Sequence, residues 1–139
     1  MELSSTLNSR VAARPCEAVT VLLIDDREDC ITTLDLALER MSGVVLRSAR
    51  TAEEAWDLLR DLPVAAVITD IHLPHMTGLE LISRIRREPR MERLPIVVVS
   101  ADPDPSTPRK ALGLGANAFF AKPFSPGAIR KKLEELIYG

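Results

Sequence analysis

Residues 67–81 read VITDIHLPHMTGLEL. An apolar run stops at Asp70, a loop with His72, Pro74 and His75 follows, and Gly78 opens a helical pattern. A short β-branched run bounded by turn residues is the signature of a strand buried on both faces. A charge at its end makes sense only if other strands bring partners to the same edge. Four other runs have the same character: VTVLLI (19–24), GVVLRSA (43–49), PIVVVS (95–100) and NAFFA (117–121), with VAAVIT (64–69) the third of the five. Amphipathic stretches lie between them. DCITTLDLALERM places Ile31, Leu34, Leu38 and Met41 at helical spacing, and TAEEAWDLLRDL opens with Thr51 and Glu54 in a capping-box arrangement. Further helices are expected over about 77–87, 107–114 and 125–138, the fourth delayed by the prolines of ADPDPSTPRK. Strand and helix alternate throughout. That pattern predicts an α/β fold with a parallel sheet, doubly wound, with right-handed crossovers covering both faces.

At 139 residues the chain suits one domain, with 46% hydrophobic and 27% charged residues. No apolar run approaches a membrane span. A net charge of -2 offers no basic field for nucleic acid or an anionic membrane. Residues 1–17 read as a flexible extension without a secretory signal, and 18–139 as the folded domain. Cys16 and Cys30 fit reduced thiols, so a cytoplasmic location is expected.

In a sheet of this kind, chemistry collects at the carboxyl ends of the strands. The first strand ends in Asp25 and Asp26, the third in Asp70, the fourth in Ser100 and the fifth in Lys122. The second, ending near Ser48 and Ala49, is the outer one. Crowded carboxylates repel by about 4 kcal/mol per pair at ~4 Å and an effective dielectric of ~20, so a positive group must sit among them. Hard oxygen ligands suit Mg2+ or Mn2+. Lys122 adds a point charge and Ser100 a hydroxyl. Together these groups suit a phosphoryl group arriving on Asp70 to form an acyl phosphate.

The acidic pair DD (25–26), TDIHLPHMTGLEL (69–81), VVVSAD (97–102) and FFAKPF (119–124) follow in an order and spacing that resemble a receiver domain of bacterial two-component response regulators, over about residues 18–138. The resemblance implies a flavodoxin-like three-layer sandwich with strand order 2-1-3-4-5. It implies that Asp70 takes phosphate from a histidine kinase or histidine phosphotransfer protein. Asp26 would bind Mg2+ directly and Asp25 mainly through water, with the backbone carbonyl of His72 as another ligand. Ser100 and Lys122 would grip the phosphoryl oxygens, and Phe119 with Ser100 would form the switch. The Lys122–Pro123 bond would be cis, while Pro74 and Gly78 shape the loop. Output would pass to a protein target through the fourth helix, fifth strand and fifth helix, from a monomer or a weak phosphorylation-dependent dimer. Such a protein catalyses only its own phosphorylation and dephosphorylation. With no output domain after the fifth helix, a single-domain receiver is expected. The terminal receiver of a hybrid histidine kinase, or a phosphorylation-independent interaction module, are the alternatives.

Two rivals fail on the residues. A flavodoxin-type cofactor protein needs neutral amides in its first loop, where DDREDC (25–30) presents negative charge. A dehalogenase-type phosphatase places its two acids on one loop with a cap, for which little chain remains. Other residues also have plain readings. Asp25 suits a helix cap, Trp56 suits packing, and the arginines of RIRREPRMER (84–93) suit a solvated face. His72 and His75 suit exposed loop positions, with a role in phosphoryl lifetime or metal binding as the functional reading.

Overall fold

The computed structural model describes residues 18–139, so the 1–17 extension and Cys16 lie outside the described residues. Strands and helices alternate as β1 (Val19–Ile24), α1 (Glu28–Leu38), β2 (Val44–Ala49), α2 (Ala52–Asp61), β3 (Ala66–Thr69), α3 (Gly78–Arg87), β4 (Ile96–Ser100), α4 (Thr107–Leu114), β5 (Ala118–Ala121) and α5 (Pro126–Tyr138), with a 3-10 turn at Pro89–Met91. All pairings are parallel and the order is β2-β1-β3-β4-β5. This is the doubly wound, three-layer arrangement expected from the sequence.

The period-2 alternation of the strands divides the core in two. Leu22, Ile24, Val67, Ile96 and Val98 face α2, α3 and α4, where Ala55, Leu81, Ile85 and Ala111 meet them. Val21, Leu23, Ile68, Val97 and Val99 face α1 and α5 through Leu34, Leu38, Ile129 and Leu133. Every residue of β3 and β4 is buried, as their continuous apolar runs predict. The outer strands depart from that expectation. β2 leaves Val45, Arg47 and Ser48 exposed, and β5 is only half-buried, because each has a neighbour on one side alone.

Helix starts follow local chemistry with two adjustments. Thr51 caps α2 by accepting from the Glu54 amide at 3.1 Å, but the Glu54 carboxylate reaches the Arg50 amide instead of closing a box on Thr51. The complete capping box is at α3: Thr77 Oγ1 accepts from the Glu80 amide and Glu80 Oε1 accepts from the Thr77 amide. α1 ends at Leu38, so Met41 reaches the core from the turn beyond the helix, before Gly43 (φ 75°) leads into β2.

Arg86 is not part of a solvated face. Its guanidinium donates to the carbonyls of Gly115 (2.8 and 3.1 Å) and Met91 (3.1 Å) and to Asn117 Oδ1 (3.2 Å), tying α3 to the α4–β5 turn. Burial lowers its pKa. Arg84, by contrast, lies over the half-buried Trp56 ring at 4.5 Å, so Trp56 packs by a cation–π contact between α2 and α3. Among the described residues, no helix is long and apolar enough to cross a membrane.

Candidate functional site

Sheet hydrogen bonds continue one step past the strands and level their tips. The Asp25 amide donates to Ala49 O (3.1 Å), the Asp70 amide to Ile24 O (2.9 Å) and the Lys122 amide to Ser100 O (2.9 Å). Three residues distant in sequence are thereby set at one edge. The ammonium of Lys122 bridges the two acids, with Nζ donating to Asp25 Oδ2 at 3.0 Å and to Asp70 Oδ2 at 2.9 Å. Asp25 is 1% exposed and Asp70 7%. Burial pulls the Lys122 pKa down, but the hydrogen bonds and charges of Asp70 and Asp25 outweigh it and leave the pKa raised.

Each buried acid is oriented by backbone. Asp25 Oδ1 accepts from the Arg27 amide at 2.9 Å, and α1 begins after Arg27, so Asp25 is not the helix cap. Asp70 Oδ1 accepts from the Ile71 amide at 2.6 Å, with the His72 amide at 3.4 Å. Its other oxygen meets Lys122. The Asp70 carbonyl accepts from Thr69 Oγ1 at 2.8 Å and lies against Gly78, where a Cβ would stand 2.1 Å from that oxygen. Gly78 is thus a contact requirement: only a residue without a side chain lets α3 start against the Asp70 peptide.

The remaining expected site residues are distributed as follows. Asp26 is exposed, and among the described residues its carboxylate has no hydrogen-bond or ion-pair partner; its carbonyl accepts from Arg50 at 3.4 Å. It lines a cleft of about 750 Å³ with Asp70, His72, Ala101, Lys122 and Pro123. Ser100 is fully buried, and its Oγ accepts from the Asp102 amide at 3.1 Å, not from any group of Asp70 or Lys122. Phe119 is half-buried against the α2–α3–α4 core. The Lys122–Pro123 peptide is cis. Pro74 and His75 are exposed, and His75 adopts the left-handed region at φ 67°. The His72 side chain leaves its own loop: Nε2–H donates to Asp102 Oδ2 at 2.9 Å.

The donor set fits a hard divalent cation. Carboxylates from two strand tips share an edge, one of them on exposed Asp26; His72 and Cys30 also line the cleft, but the His72 ring is bonded to Asp102 and the Cys30 thiol is pushed up to about 12, so neither offers itself as a soft ligand. Among the described residues, no three His, Cys, Asp or Glu side chains converge to hold an ion unaided. The exposed Asp26 and the buried Asp70 carboxylates are the hard oxygen type that suits Mg2+, which keeps several waters and takes one or two carboxylates. Lys122 is the positive group between Asp25 and Asp70.

Sequence reading missed three contributors. Thr69 holds the Asp70 carbonyl, the Arg27 amide holds Asp25, and Asp102 joins Ser100 to His72. The signals for Asp102 were its place at the end of VVVSAD and before proline in ADPDP, which mark a turn and name no partner.

The model of the response regulator receiver domain matches residues 21–134. A chemotaxis protein CheY homolog of Campylobacter jejuni is 33% identical over 118 residues, covering 84% of this chain and 91% of that protein. The response regulator GtcR of Aneurinibacillus migulanus is 39% identical over 107 residues, 77% of this chain and 43% of its own length. Among solved structures, a putative response regulator from Chloroflexus aurantiacus superimposes with a TM-score of 0.79 at 32% identity, covering 88% of this chain and all of that one.

Proposed function

The chain belongs to the response regulator receiver domain family, and we propose that residues 18–139 take a phosphoryl group onto Asp70 from a histidine kinase or histidine phosphotransfer protein. The observation that carries this reading is the Lys122 ammonium held between Asp25 and Asp70 at a buried sheet edge that opens on a cleft. An Asp70 oxygen supplies the electron pair for a new O–P bond. The P–N bond to the donor imidazole breaks, and its electrons return to the ring nitrogen. Lys122, already 2.9 Å from Asp70, follows the charge onto the phosphoryl oxygens, and the Ser100 hydroxyl turns to donate to another. Asp26, Asp25, Asp70 and the His72 carbonyl are the groups that would hold Mg2+ or Mn2+. When bound, that ion neutralises phosphoryl oxygens. The protein acts on itself alone, as substrate and catalyst of its own phosphorylation and dephosphorylation.

The addition of roughly -1.5 to -2 charges at this edge draws Ser100 inward, and Phe119 rotates into the space behind it. The surface of α4, β5 and α5 then changes for a downstream protein target in the cytoplasm, with the chain a monomer or a weak phosphorylation-dependent dimer. Incubation with Mg2+ and a small phosphodonor tests the reading. Intact mass should rise by one phosphoryl group in the wild type and not in Asp70→Asn. Equal labelling of both proteins removes Asp70 from the role.

A further inference from the structure

The acids gather at the carboxyl edge of the sheet, and the opposite edge carries a second cleft. There the α2–β3 connection LPVA (62–65) and the stretch RMERLP (90–95), which runs from the 3-10 turn to β4, enclose about 340 Å³. β3 and β4 start just after these segments and run up to Asp70 and Ser100, so a strand's length, roughly 15 Å, separates the cleft from the site. The floor is apolar: Leu59 is buried, and Leu62, Val64 and Leu94 are half-buried. Among the described residues, the charged groups lining it are Arg90 and Arg93 alone, both exposed, and neither guanidinium has an ion-pair partner. Asp61 and Glu92, the nearest acids in sequence, are exposed and do not line it. The cleft beside Trp56 differs, because Arg84 and Arg87 there are balanced by Glu80 and Glu88. A surplus of positive charge thus belongs to the lower cleft, on a chain whose net charge is -2.

Two further features suit a peptide. Pro63 and Pro95 fix φ in both walls, so the shape exists before a ligand arrives. Val64 lies outside β3, and among the described residues nothing accepts from its amide, which leaves a donor on a lining residue. An apolar floor takes an aliphatic side chain, a guanidinium takes a carboxylate as a fork, and an open amide takes a peptide carbonyl. We propose that this cleft docks a peptide segment of a partner protein, an aliphatic residue flanked by carboxylates. Nucleic acid is a poorer fit, since two arginines on a chain of net negative charge make no extended basic field. A membrane surface is a poorer fit too, because the apolar groups line a recess and form no protruding face. The inference does not depend on Asp70 being the phosphoacceptor.

The test follows backbone amide shifts of the full chain by NMR as a Glu-Glu-Leu-Leu-Glu-Glu peptide, blocked at both ends, is added. The amides of Val64, Ala65 and Leu94 should move and saturate, while those of Ile71 and His72 beside Asp70 stay in place. Arg90→Glu combined with Arg93→Glu should weaken binding by about 10-fold or more. Both residues are exposed and without ion-pair partners, so the fold is retained, which an unchanged spectrum away from the cleft verifies. Raising salt from about 50 to about 300 mM should also weaken binding. The inference is overturned if the three amides do not move or if the charge-reversed chain binds as tightly. It is equally overturned if blocked Lys-Lys-Leu-Leu-Lys-Lys or Glu-Glu-Ser-Ser-Glu-Glu matches the first peptide. Movement of the same amides with chain concentration alone makes a second copy the occupant, and equal movement with oligothymidylate or phosphatidylglycerol vesicles makes the cleft a general polyanion site. Either result also refutes the peptide assignment.

Discussion

Replacing Lys122 with methionine keeps a flexible stem of similar length in the sheet edge and removes the ammonium. In the wild type one nitrogen lies 3.0 Å from Asp25 Oδ2 and 2.9 Å from Asp70 Oδ2, so the two oxygens are at most about 6 Å apart. At an effective dielectric of ~20, two carboxylates at that separation repel by about 3 kcal/mol. The side chains are 1% and 9% exposed, so water screens little of this. A domain with a total stability of about 5–15 kcal/mol survives the loss, which makes it measurable. Urea unfolding followed by circular dichroism at pH 7 should show Lys122→Met destabilised by about 3 kcal/mol with an unchanged slope. Adding Asp25→Asn to that variant should restore most of the loss, because one of the repelling charges is gone. The raised pKa of Lys122 sets the pH window. On the alkaline side its stabilisation is fully present below the ordinary lysine value of 10.5 and is lost as pH rises through the higher folded value, so wild type and Lys122→Met should converge in strong alkali. A loss under about 1 kcal/mol at pH 7, or a double variant no more stable than the single, would refute the claim that this ammonium holds the acids together.

Gly78→Ala places a methyl 2.1 Å from the Asp70 carbonyl, so the peptide must move by roughly 1 Å. It should cost about 1–3 kcal/mol by urea unfolding and slow phosphate uptake by up to ~100-fold; wild-type values in both would dismiss the contact. Arg86→Met removes hydrogen bonds to Gly115, Met91 and Asn117 and should cost about 2–3 kcal/mol while leaving uptake within about twofold, since Arg86 touches no residue of the site. Cys30 is buried and its thiol is pushed up to about 12, by burial first and then by the hydrogen bond and charge of Asp25. In a Cys16→Ser background its alkylation at pH 8 should be on the order of 100-fold slower folded than in urea, and equal rates would contradict that environment.

The alternation of apolar runs with amphipathic stretches was enough to read the parallel sheet, because burial on both faces and the 3.6-residue period leave separate marks on a sequence. The limits of β1 and α4 fall at the expected residues, the end of α1 falls three residues early, at Leu38 instead of Met41, and the others shift by one or two, since a flanking residue such as Pro95 or Ser125 shares the composition of its element but not its hydrogen bonds. Asp25, Asp70 and Lys122 were legible because each ends an apolar run and the sheet brings run ends together. What the runs cannot express is which atom meets which. Arg86 reads as one more surface arginine in RIRREPRMER until the α4–β5 turn presents the Gly115 carbonyl and the Asn117 amide oxygen to it and the 3-10 turn presents the Met91 carbonyl. Asp102 reads as a turn residue until the loop after β3 brings His72 across to its carboxylate.

Sequence alone, then, determined which residues lie at the carboxyl edge of the sheet, since strand period and strand ends are local properties of the chain. Only the tertiary structure decided that Lys122 is shared between two acids, that Ser100 is engaged by Asp102, and that Gly78 is fixed by contact with a carbonyl. The Lys122 relations join segments 52 and 97 residues apart, the other two lie in loops whose paths no local period encodes, and all depend on close distances that packing alone sets.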